Sequence, residues 1–114
     1  MKYYITTLFF ILTLANTAFA QKTPLSDLKS PFTLGELQYA YDSLEPTIDE
    51  KTMRIHHGMH HQGYINNLNK EVPEKNISII DLLQNISKHN TAIRNNSGGH
   101  WNHAFFWSIL TPEK

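Results

Sequence analysis

The chain contains no cysteine, which excludes disulfides and thiolate metal ligands as sources of stability. Charge is sparse too: 18% of the 114 residues are Asp, Glu, Lys or Arg, and ten basic side chains balance ten acidic ones. Zero net charge without a basic patch speaks against nucleic acid or an anionic membrane surface as partner. Long apolar runs are missing after the first twenty residues, and only 32 of the 94 residues beyond Ala20 are hydrophobic. That third falls below the roughly 45–50% usual for a globular domain. It suits one small domain with a thin core.

The amino terminus is the exception. In "MKYYITTLFFILTLANTAFA", Lys2 precedes an apolar run from Tyr3 to Leu14 and then Ala18-Phe19-Ala20. This pattern predicts a secretory signal peptide over residues 1–20, cut after Ala20. The run is short of the roughly 20 apolar residues that span a bilayer. The mature chain is therefore expected to start near Gln21, exported to the periplasm or beyond, with no membrane attachment.

Histidine is what the sequence has in excess. Four of its seven histidines fall at positions 56, 57, 60 and 61, inside "MRIHHGMHHQGYINNLN". Around them the pattern is helical, with no β alternation, repeat or low-complexity run. Residues 21–36, with Pro24 and Pro31, read as an extended arm. Asp49 is a plausible N-cap with Glu50 behind it, opening a helix to about Asn69. At about 100° per residue, Met53, His56, His60, Tyr64 and Leu68 share one face. "SIID" (Ser78, Asp81) resembles a capping box for a short second helix through Leu82, Leu83 and Ile86. A third helix is expected over Asn90 to Leu110, with Gly99, His103, Phe106, Trp107 and Leu110 on one face. Gly98 and Gly99 each cost about 1 kcal/mol of helix propensity relative to alanine, which points to close approach of another group.

Imidazole is the commonest protein metal ligand, and a bundle interior can take ligands from facing helices. Two arrangements are open: an i, i+4 pair (His56, His60) on one helix, or one histidine from each cluster. The second cluster, "SGGHWNHAFFW", sets His100 and His103 beside glycines and before an aromatic run that could exclude water from a metal. A catalytic site usually wants about three protein ligands and an open position. Two good ligands are present and no convincing third.

"LQYAYDSLEPTIDEKTMRIHHGMHHQGYINNLN" together with "NNSGGHWNHAFFWSILTP" closely resembles the amino-terminal half of the iron/manganese superoxide dismutases, from about Leu37 to Pro112. The resemblance implies an all-α antiparallel hairpin of long helices, the domain that precedes an α/β domain in those enzymes, over residues 37–112. It implies His56 and His103 as metal ligands, with an aspartate and a third histidine supplied from outside this chain. His60 and Tyr64 match the pair at the mouth of the substrate channel, and Trp107 matches an aromatic residue lining the site; His57 and His61 are left as structural or surface residues. The implied reaction is conversion of superoxide to dioxygen and hydrogen peroxide at one manganese or iron ion, in a homodimer or homotetramer.

Gly99, four residues before His103, matches the manganese-type pattern, whereas Trp101 is less typical of it. Gln38 stands where the family usually has proline and Thr47 where it usually has histidine. Met59 stands where a lysine is common, and its lack of charge would weaken steering of an anion. Because the sequence stops where the family's second domain would begin, it reads as truncated, and residues 21–114 alone are expected to dismutate superoxide poorly or not at all. Two other readings remain open: an exported module in which His56, His60 and His103 sequester zinc or copper without redox turnover, and a nonfunctional fragment.

Overall fold

The computed structural model describes residues 24–112; the expected signal peptide lies outside the described residues. The described part is helical, and its only β feature is an isolated antiparallel bridge between Lys29 and Ser78. The first long helix, α1, runs from residue 50 to 71. It is α-helical over Glu50–Ile55, π-helical over His56–His61 and α-helical again over Gln62–Glu71. A short α2 covers Ile79–Gln84, and α3 covers Thr91–Ile109.

Each helix starts where a side chain satisfies the orphan amides of its first turn. Asp49 accepts from the Thr52 amide at 2.9 Å, Ser78 from Ile80 at 3.2 Å and Asn90 from Ile93 at 2.8 Å. Cross-helix neighbours run in opposite chain directions, His56 with His103, His61 with His100 and Tyr64 with Gly99, so α1 and α3 form an antiparallel hairpin. No helix among the described residues is long and apolar enough to cross a membrane.

The apolar core sits at one end of the hairpin, where Phe32, Ile65, Leu68, Val72, Ile79 and Leu82 cluster. The extended arm closes it. Asn69 clamps Phe32 from both sides, accepting from its amide and donating to its carbonyl, each at 2.8 Å. Ser30 receives the Ile77 amide at 2.9 Å and donates to the Glu74 carbonyl. The histidines occupy the hairpin's other end.

The inner face of α1 differs from the expected one. Its buried row is Met53, His57, His61, Ile65 and Leu68, followed by Val72 just past its end, while His56 is half-buried and His60 exposed. Projection at a uniform 100° assumes a regular α-helix, and the π-helical stretch, with i→i+5 bonding, breaks that assumption. Successive residues turn less there, so positions four apart stay in line. On α3 the buried residues are Ser97, His100 and Trp107; Phe105 faces outward, and His103 and Phe106 are half-buried.

Candidate metal centre

All four clustered histidines lie within the π-helical stretch, a local widening that recurs at functional sites. The widened turn presents His56 and His61 to histidines of α3. His56 and His103 meet nitrogen to nitrogen, with Nε2 atoms 3.0 Å apart. The other ring nitrogen of His103 lies 2.7 Å from the Gly99 carbonyl. A carbonyl only accepts, so Nδ1–H donates to it and the Nε2 of neutral His103 carries a lone pair. A backbone partner of this kind is what fixes the tautomer of a metal-binding histidine.

The surroundings favour neutral imidazole at His56. Burial pushes its pKa below the ordinary value, helped by the nearness of His103, His60 and His57. Trp107 and Phe106 flank it, with ring centroids 4.8 and 5.6 Å away. Bonds from imidazole to a metal such as zinc are roughly 2.0–2.1 Å, so nitrogens 3.0 Å apart can share one ion. The donor chemistry fits a metal, but only as half a site. Among the described residues no group of three or more His, Asp or Glu is placed to hold one.

His60 stays outside the pair, its ring 6.0 Å from that of His56. Tyr64 lies on the other flank, 5.2 Å from the ring of His103. Its ring rests over Gly99, where an added Cβ would fall 2.3–2.6 Å from Tyr64 Cδ1, Cε1 and Cγ. Close approach thus explains Gly99; Gly98 has nothing within 4 Å, so the expectation fails there. Gly99→Ala is accordingly expected to lower the melting temperature, although alanine ordinarily stabilises a helix by about 1 kcal/mol over glycine. Overpacking costs typically 1–3 kcal/mol, and an unchanged or raised melting temperature would show that Tyr64 yields freely.

His57 and His61 are both buried, so neither is a surface residue. His57 Nε2–H donates to the Gly35 carbonyl at 2.9 Å, so its Nδ1 accepts from the Tyr41 hydroxyl, also at 2.9 Å. Arg54 covers the Tyr41 ring at 4.5 Å. His61 accepts from the Trp107 indole at 3.1 Å and meets His100 Nδ1 at 2.8 Å. Burial pushes the pKa of His61 down to about 3 and that of His100 to about 4, the neighbouring histidines adding to both shifts. The His61–His100 pairing escaped sequence reading. Its one available signal was the four-residue spacing of Met53, His57, His61 and Ile65.

A helical hairpin that brings one histidine from each long helix to a common point, walled by tryptophan, presents the donors of half a metal site of the bundle type. Residues 31–111 match the family described as iron/manganese superoxide dismutases, alpha-hairpin domain, and the chain belongs to that family. It is 49% identical over 83 residues to the superoxide dismutase (Mn) of Acinetobacter baylyi, an alignment covering 69% of this chain and 36% of that protein. It is 46% identical over 88 residues to the superoxide dismutase (Mn/Fe) 2 of Staphylococcus aureus strains Mu50 and N315, covering 71% of this chain and 44% of each relative. The chain thus spans less than half the length of these curated relatives.

Proposed function

We propose that the protein to which this chain contributes its helical hairpin disproportionates superoxide to dioxygen and hydrogen peroxide, using one manganese or iron ion held in part by His56 and His103. The observation that carries this reading is the 3.0 Å approach of the two Nε2 atoms, with His103 oriented by the Gly99 carbonyl. When bound, the ion supplies a one-electron couple between its trivalent and divalent states. The protein's part is to hold and screen. His56 and His103 bind as neutral imidazoles, while Trp107 and Phe106 cover His56 and keep water from that side. Exposed His60 and Tyr64 flank the pair on either side, where they border the approach of a small anion; Tyr64 offers a hydroxyl to the solvent there.

Manganese is the proposed preferred metal, on the strength of Gly99, and an aspartate and a histidine supplied from outside this chain complete its shell. The proposal extends to export by the residue 1–20 signal peptide and to a homodimer or homotetramer. The rival sequestering module needs His60 beside His56 and His103, and the described residues do not gather the three. The test is superoxide decay after pulse radiolysis, with the full-length protein loaded with Mn(II) or Fe(II). Acceleration beyond that of the free ion, lost on metal removal and regained on reloading, is the expected result. Decay no faster than with the free ion overturns the reading.

A further inference from the structure

The hairpin contains two nitrogen-to-nitrogen histidine contacts across the same helix pair, and they differ in what holds the other ring nitrogens. His56 and His103 meet through Nε2, and the Nδ1–H of His103 is given to a carbonyl. His61 is addressed from the other direction. An indole N–H can only donate, so the 3.1 Å contact from Trp107 Nε1 makes His61 Nδ1 an acceptor. Neutral His61 then carries its proton on Nε2, which points at His100 Nδ1, 2.8 Å away. His100 must accept there, and its own proton sits on Nε2, buried with no partner among the described residues. The direction is Trp107 to His61 to His100, and it cannot be reversed while the indole holds its place. The Nε2 of His61 has no lone pair to offer an ion.

Two of the three members of this hydrogen-bonded chain, His61 and Trp107, touch the His56–His103 pair. The His61 ring stacks on His103 with centroids 5.2 Å apart and an interplanar angle of 19°. Trp107 meets His56 edge-on at 4.8 Å. Trp107, His61 and His100 are 7%, 2% and 1% exposed, so none can swing away without opening the hairpin. We propose that His61 and His100 are positioning residues: with Trp107 they form a one-way hydrogen-bonded chain that fixes the rings of His56 and His103 for metal. This rests on the reading of His56 and His103 as ligands. It also separates the stacked pair His103 and His61 by the partner of the far ring nitrogen, a carbonyl for the ligand and an indole for the prop.

The test has two arms on the full-length protein. Long-range proton–nitrogen NMR on the 15N-histidine, Zn(II)-loaded protein reads tautomers directly, and His61 and His100 are both expected as Nε2–H. An Nδ1–H tautomer at either position overturns the proposal. In the second arm His61→Phe keeps a stacking ring but removes both hydrogen bonds. Mn(II) affinity is expected to fall by about 10–100-fold, the usual cost of losing an outer-shell partner, and the Trp107 indole proton resonance is expected to shift upfield. A folded His61→Phe protein with wild-type affinity overturns the proposal, provided His56→Ala abolishes binding in the same assay. If His56→Ala also binds normally, it is the ligand reading that fails. The tautomers are read in the wild type, so they decide the matter even if His61→Phe does not fold.

Discussion

His103→Ala is expected to abolish measurable Mn(II) binding by the full-length protein, a loss exceeding the roughly 10–100-fold typical of an outer-shell substitution. The side chain supplies one of two nitrogens that lie 3.0 Å apart, and alanine leaves His56 without a counterpart on α3. The fold should survive. His103 is half-buried and lies away from the cluster of Phe32, Ile65, Leu68, Val72, Ile79 and Leu82. His60→Ala is the matched control and should bind Mn(II) as the wild type does, because His60 stays outside the pair. Titration followed by electron paramagnetic resonance of free Mn(II) separates the two. Wild-type affinity in His103→Ala would remove this residue from the metal site.

Acid should unfold the metal-free protein well above the range where carboxylates titrate. The pKa values of His61 and His100 are pushed down to about 3 and about 4 in the fold, whereas an unfolded histidine titrates near 6.5. Between those limits the unfolded chain binds protons that the folded chain refuses, so stability rises with pH and falls on acidification. Their contribution is whole above about pH 6.5 and drains away as pH falls towards 4. The slope is on the order of 1.4 kcal/mol per pH unit for each imidazole that must enter the fold neutral. Burial lowers the pKa of His57 as well, which adds in the same direction. Urea midpoints at pH 7.5, 6 and 5 measure the effect. A flat profile would mean that His61 and His100 are not held neutral.

Features fixed by neighbours in the chain were legible in the sequence. Asp49, Ser78 and Asn90 each cap a helix through an amide two or three residues ahead, so the helix starts followed from local chemistry. The fit at Gly99 was foreseen for the same reason, since a costly helical glycine needs a cause, though the partner, Tyr64, lies 35 positions away. The inner face of α1 was not legible, because it depends on the π-helical stretch. That stretch is coupled to His56–His103 and His61–His100 contacts between residues 47 and 39 positions apart. The arm was readable as extended, yet nothing local announced that Asn69 would clamp Phe32. Family resemblance supplied the pairing of His56 with His103, which spacing alone had left open between two arrangements.

The π-helical stretch lies between two ordinary α-helical segments, of which Gln62–Glu71 carries Ile65 and Leu68 into the apolar cluster. Like an insertion in a coiled coil, it offsets the phase of one segment against the other. The hairpin is thus jointed where its four clustered histidines sit. Substitutions that alter the pitch of the joint are expected to re-aim the exposed His60 and half-buried His56 at little cost to the apolar cluster, whereas any that turn His61 out of line must break its buried contacts with Trp107 and His100.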